Sequence, residues 1–343
     1  MTKWIMVIFL AVSALLAAFR FSQISGKGAA IYPKSWPKPT YDLSSKAISE
    51  EGFQLGRSLF YDPMLSRDST ISCATCHLQY TGFTHVDHNV SHGIDGRKGT
   101  RNAPALINLA WKKFFHWDGG VNHIEAQGIN PLTHPAEMDN TLAEVIRRLT
   151  LNDDYRKQFQ LVYGSDQITT AKLMNALSQF TRSLISANSK YDQVLRKEKG
   201  VTFTEQEQSG LVIFRQHCVS CHQEPLFTTH QFKSNGLPRD LQYNDLGRFA
   251  ITGKEVDSFL FMIPTLRNIE FTFPYMHDGR FRKLKEVISY YSEKIDPTNI
   301  HLSRELNGPI HLSDKQQKDL LAFLYTLTDK QFLYNPRFSF PKK

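Results

Sequence analysis

Cys73-Ala-Thr-Cys-His77 and Cys218-Val-Ser-Cys-His222 decide how this chain is read. In a C-x-x-C-H run two thiols add across the vinyl groups of a haem, and the two-residue gap lets both sulfurs reach one edge of the macrocycle. The next residue turns its imidazole onto the iron. A zinc site or a disulfide pair would use the same side chains. Neither accounts for a His directly after both pairs, and the two runs use all 4 cysteines of the chain. The reading is therefore two covalent haem c groups, bound by Cys73, Cys76, Cys218 and Cys221, with His77 and His222 as proximal iron ligands.

Working outward, each run follows a helical stretch: Gly52 to Phe60 before the first, and a helix opened by the capping box Thr204-x-x-Glu207 before the second. Leu142, Val145, Ile146 and Leu149 repeat at helical spacing behind a second box, Thr141-x-x-Glu144. Leu173, Leu177, Phe180 and Leu184 form another stripe, and Leu320, Leu321, Leu324 and Leu327 a last one behind Ser313. No sustained alternation of two is present, so the expected class is all-α: two cytochrome c-like domains, each with a covalent haem. The Lys- and Glu-rich stretch 191–200 marks the joint. The expected division is residues 48–195 for the first domain, 196–332 for the second and 333–343 for a tail.

The chain begins with Lys3 and an apolar run over residues 4–19, the pattern of a secretory signal. Residues 1–22 are expected to be a signal peptide or an N-terminal membrane anchor, and 23–47 a linker. Covalent haem attachment of this kind in bacteria takes place outside the cytoplasm, so the expected location is the periplasm. The chain has 343 residues and a formal charge of +8, with its 41 Lys and Arg dispersed rather than blocked, which argues against nucleic acid as a partner. Four haem propionates and loss of the leader would reduce that excess further.

The sixth iron position separates electron carrier from enzyme, because an iron with two strong protein ligands shuttles electrons and an open one meets peroxide. Candidates are His85, His88 and His92 after the first run, and Met262, Met276, His277, Tyr290 and Tyr291 after the second. Spacing alone does not choose among them.

The chain also carries Arg101-Asn-Ala-Pro104, Trp117-Asp-Gly119, Pro131, Glu137-Met138, Pro264-Thr-Leu-Arg-Asn268 and Pro274-Tyr-Met-His-Asp-Gly279. In this order around two C-x-x-C-H runs, they resemble the bacterial dihaem cytochrome c peroxidase family, which includes the MauG branch. The resemblance implies that the His77 haem is peroxidatic and that the His222 haem relays electrons. It places the acid–base glutamate on Glu137, a distal-pocket glutamine on Gln127 and an inter-haem conducting tryptophan on Trp117. It also implies Ca²⁺ between the domains, held by Asn102, Thr272 and Pro274, whose neutral oxygens suit a hard cation.

Two departures stand out. The distal ligand of the relay haem, a methionine in typical peroxidases, falls on Tyr291 as in the MauG branch, with Met276 the fallback. His92 resembles the loop histidine that caps the peroxidatic iron at rest, although the loop from it to Arg101 is longer than in those enzymes. The leading expectation is an oxidoreductase that reduces hydrogen peroxide to water with electrons from a small cytochrome c or cupredoxin. The alternatives are a MauG-like oxidase of a protein or organic substrate and a non-catalytic electron carrier.

Overall fold

The computed structural model describes residues 32–341. The expected signal or anchor lies outside the described residues. The helix Glu50–Tyr61 starts where Ser49 Oγ accepts the Gly52 N–H, and Glu50 and Glu51 occupy its positively polarised first turn. It crosses the helix Thr170–Arg182 so closely that a Cβ on Gly56 would lie 2.0 Å from the Ala176 carbonyl oxygen. The second half repeats this construction. The helix Glu205–His217, opened by the reciprocal Thr204/Glu207 box, crosses Asp314–Tyr325, opened by a Ser313/Gln316 box. A Cβ on Gly210 would sit 1.9 Å from the Asp319 carbonyl. In each half, one glycine lets the helix that leads to the thiols lock against a later helix.

Two apolar cores result. The first gathers Phe53, Leu59, Phe60, Phe83, Phe159 and Phe180. The second gathers Tyr191, Leu211, Phe214, Phe227, Phe323 and Leu324. Leu184 still belongs to the first core and Tyr191 already to the second, so the chain crosses over before residue 196. Phe332, Leu333 and Phe338 return to the first core. There Tyr61 Oη donates to the Phe338 carbonyl at 2.8 Å, and Arg337 pairs with Glu50 at 2.6 Å.

The expected linker also needs correction over its described part. Trp36 and Leu43 are buried in the first core, and Trp36 meets Trp111 edge-on at 5.3 Å. An indole and an isobutyl group bury enough apolar surface to hold this strap down. At Thr141 the hydroxyl caps Glu144 N as expected, but the Glu144 carboxylate turns to Arg147 and Arg148 rather than back to the cap. Cations three and four residues ahead on the same face draw it away. The one sheet among the described residues is a two-residue antiparallel pair, Phe232–Lys233 with Phe261–Met262. The second half is tied across its core by Arg267, fully buried and paired through both terminal nitrogens with Asp192 at 2.8 Å.

Candidate functional site: two thiol–imidazole cradles and the wall between them

Each C-x-x-C-H run forms a tight turn whose imidazole is oriented by a backbone carbonyl. His77 Nδ1 lies 2.7 Å from the Phe83 carbonyl and His222 Nδ1 lies 3.1 Å from the Phe227 carbonyl. A carbonyl only accepts, so Nδ1 carries the proton and Nε2 keeps its lone pair for a metal. Phe83 and Phe227 both adopt left-handed backbone (φ 59° and 54°), which bends each carbonyl back onto its histidine. Burial pushes both imidazoles down to about 4, so they stay neutral. It pushes the Cys73 and Cys218 thiols up to about 12 and Cys76 to about 11. The two phenylalanines were not singled out in the sequence. Their recurrence six and five residues after the histidines of the two copies was the available signal.

Glu137 stands over the first run. Its charge is felt at both Cys73 and Cys76, and burial raises its carboxyl above the ordinary glutamate range, with His134 partly opposing. The loop that follows His92 holds it in place. Ile94 N donates to the Glu137 carbonyl at 2.8 Å, and a Cβ on Gly93 would lie 2.2 Å from that same oxygen. Arg97 ties the two loops together, donating to the Pro135 carbonyl and the Asp139 carboxylate at 2.9 Å each. The extra residues between His92 and Arg101 are therefore a brace for the Glu137 turn. Gln127 is half-buried, its backbone against the His116 ring.

His92 is not alone at the first run. Its carbonyl accepts from Cys76 Sγ at 3.4 Å, and its ring packs with those of His85 and His88.

Trp117 forms part of the wall of the second cradle, a cavity it lines together with Cys218, Cys221 and His222. Its Nε1–H donates to the Asn102 carbonyl at 2.8 Å, which holds the indole, and its backbone carbonyl accepts Met262 N at 2.7 Å, which ties its main chain to the second half. Arg101 holds the next residue, Asp118, and reaches Asp245 of the second half through two bonds at 2.6 and 2.8 Å. Gly119 (φ 71°) is required there, because a Cβ would lie 2.3 Å from the Phe232 ring. Asn102, Thr272 and Pro274 line the same cavity, and Asn102 N donates to the His277 carbonyl at 2.7 Å.

Tyr291 and Met276 both line this cavity, and the Asn235 amide reaches each of them, at 3.3 Å from Tyr291 Oη and 3.4 Å from Met276 Sδ. Tyr291 lies in a π-helical turn, Tyr290–Lys294, directly after the helix Leu284–Ser289. Such a turn shifts side-chain register by one residue and is common at functional sites. Tyr290 is occupied elsewhere, donating to the Asn235 carbonyl at 3.1 Å. Burial raises the Tyr291 phenol, opposed by the Asn235 hydrogen bond.

The walls also fit the anionic edge of a haem. Lys112 is pushed down to about 8 by burial alone, with no carboxylate to offset it, and His230 beside it is pushed to about 3. His116 Nε2 is buried without a protein partner. Lys112 lines the cavity beside Trp117, so a propionate there would meet a buried ammonium that has no other acid to pair with.

Two helical units, each presenting paired thiols and a neutral, carbonyl-oriented imidazole, are the features of a c-type dihaem protein. A family model described as di-haem cytochrome c peroxidase matches residues 50–200. The cytochrome c551 peroxidase of Nitrosomonas europaea is 32% identical over 303 residues, covering 86% of this chain and 85% of the relative. The methylamine utilization protein MauG of Methylorubrum extorquens is 33% identical over 300 residues, covering 86% and 82%. A solved MauG-like protein associated with microbial copper homeostasis superposes with a TM-score of 0.82 at 35% identity, covering 90% of this chain and 98% of that one. The chain belongs to the di-haem cytochrome c peroxidase family, whose members carry two haem c groups, and it is a peroxide-using oxidoreductase. That assignment sets aside the reading as a non-catalytic electron carrier.

Proposed function

We propose that this chain reduces hydrogen peroxide to water on the His77 side, with electrons drawn from the His222 side through Trp117. The observation that carries this reading is the Glu137 carboxyl, held by a braced turn over the first thiol pair with its pKa raised by burial. Haem bound at each cradle supplies the redox iron. A carboxyl tuned upward takes a proton from one peroxide oxygen and returns it to the other, which makes the departing oxygen a good leaving group. The balance is one peroxide, two protons and two electrons to two waters.

Gln127 offers an amide to orient peroxide, and the bond from Nε1 of Trp117 to the Asn102 carbonyl holds the indole ring plane beside the second cradle. Asn102, Thr272 and Pro274 supply oxygens for Ca²⁺ at the seam between the halves. Residues 1–22 direct the chain to the periplasm, by cleavage or as an anchor, where a small cytochrome c or cupredoxin supplies electrons.

A second reading keeps the peroxide step and replaces that donor with side chains of a partner protein or an organic molecule, as in MauG. Tyr291 favours it: a phenolate oxygen lowers the iron potential relative to a thioether. The two are separated by mixing the dihaem protein with one equivalent of peroxide, with and without reduced cytochrome c. Prompt oxidation of two cytochromes per peroxide supports the first reading. Oxidising equivalents that last for minutes without a donor, and leave cytochrome c untouched when it is added, overturn it in favour of the second.

A further inference from the structure

His85, His88 and His92 bring three imidazoles together, with one ligand nitrogen from each lying within 4.8 Å of the others. Ring centroids are 5.3 Å apart for His85 and His88, 5.2 Å for His85 and His92, and 4.2 Å for His88 and His92. Neutral imidazoles have little reason to crowd in this way. They gain no charge pairing, and positive charge on any one disfavours it on the others.

A second observation points to a ligand. His85 is only 3% exposed, yet its Nδ1 is buried without a protein hydrogen-bond partner, and the same is true of His92 Nδ1. Leaving a buried ring nitrogen unpaired is unfavourable, and two of the three rings in this cluster carry one. His88 is exposed, so the cluster opens to solvent on that side. The Asp87 carboxylate is near enough for its charge to reach His85 and His92, and Lys98 faces His92 from the other side of the loop.

We propose that His85, His88 and His92 form a binding site for a single late first-row transition-metal cation, with Cu²⁺ preferred. The donor set carries the choice. Three imidazole nitrogens suit copper, zinc and nickel rather than calcium or magnesium, and among divalent ions such a site follows the order that peaks at copper. In the square-planar or tetragonal centre that Cu²⁺ favours, bonds of about 2.0 Å set neighbouring nitrogens about 2.8 Å apart and opposite ones about 4.0 Å apart. Nitrogens already within 4.8 Å reach that spacing by small rotations about the side-chain bonds. The fourth position falls to water or to Asp87.

The segment that carries the cluster is anchored at two points. His92 pairs across a bridge with Lys98, and Asn89 packs against Gly279 of the second half, where a Cβ would lie 2.0 Å from the Asn89 carbonyl. The site is independent of the proposed peroxide chemistry, but it competes with the use of His92 as a resting ligand of the first iron. An imidazole lone pair serves one metal only.

The test uses the dihaem protein, freed of loose metal and then dialysed with CuCl₂ or with ZnCl₂. One Cu²⁺ per chain beyond the two irons, an EPR signal split by imidazole nitrogens, and copper displacing zinc at equal concentration are expected. His88→Ala, an exposed position where folding is not at stake, should weaken binding at least about 10-fold, the loss that removal of even an outer-shell partner causes. The proposal is overturned by any of three results: no retained copper, copper retained equally by His88→Ala, or a bis-histidine low-spin signal from the first haem that copper leaves unchanged. His85→Asn provides a second variant, with haem optical bands reporting that the fold is intact.

Discussion

Removing the charge from Asp192 tests the keystone of the second half. Its carboxylate accepts four hydrogen bonds: two from Arg267 at 2.8 Å each, one from Ser189 N at 2.9 Å and one from Ser189 Oγ at 2.8 Å. Burial alone would raise this carboxyl, but the Arg267 guanidinium overrides burial and holds it below the ordinary aspartate range. In Asp192→Asn the amide nitrogen faces donors, and Arg267 keeps a buried charge without a counter-charge. Breaking such a pair costs about 3–5 kcal/mol, a large share of the roughly 5–15 kcal/mol that holds a domain folded. At about 3–4 °C per kcal/mol for a unit of this size, the melting temperature should fall by about 10–20 °C.

Because the Pro264 to Leu266 stretch just before Arg267 lines the His222 cavity, the second haem's optical bands should broaden first on heating, with those of the first haem following. The sign with pH is also fixed. A carboxyl with a depressed folded pKa contributes stability above its unfolded pKa and loses it as pH falls through the folded one. The wild-type protein should therefore lose stability more steeply than the variant below about pH 4. A melting shift under about 3 °C, or loss of both haem signals together, would refute the reasoning.

Three further outcomes are expected. Glu137→Gln should lower kcat/KM for peroxide by about 10²–10⁴-fold and remove an acidic limb that in the parent lies above the ordinary glutamate range, since the raised carboxyl must be ionised to accept the first proton; pH–rate profiles of the two proteins check this. Tyr291→Phe should raise the potential of the second haem and change its low-spin spectrum, whereas Met276→Leu should leave both unchanged; the opposite pattern in a spectroscopic redox titration would assign Met276 as the ligand. Gly210→Ala should destabilise the second unit by about 1–3 kcal/mol, because the new methyl meets the backbone carbonyl of Asp319 rather than a movable side chain; thermal melts followed at the second haem measure it.

Much of this arrangement was legible because it is local or repeated. The C-x-x-C-H runs, the helices before them and the Thr204 and Ser313 caps each occupy a few consecutive residues, and spacing reports such features directly. The ordered short stretches around Trp117 and Glu137 were read by resemblance, and the structure brings Glu137 to the first thiol pair and Trp117 to the wall of the second cradle. Other features depend on partners distant in sequence. Trp36 was read as tether because nothing nearby in the chain announces Trp111 or Arg267 as its neighbours. The role of Phe83 and Phe227 lies in a left-handed backbone angle, which apolar side chains do not advertise. His85, His88 and His92 stand in the sequence as rival ligands for one iron; that their rings gather on one another depends on the path of a segment without regular secondary structure, which spacing does not report.

The return of residues 332–338 to the first core makes the second unit an insertion within the first, rather than an appendage to it. As the chain is synthesised or exported, residues from about 190 to 328 form a contiguous length able to close around its own thiols while the first unit still lacks a strip of its interior. The unit that begins earlier in sequence is thus the later to finish. Shortening the chain behind Asp329 would strike the His77 side, some 250 residues upstream, and spare the His222 side next to the cut.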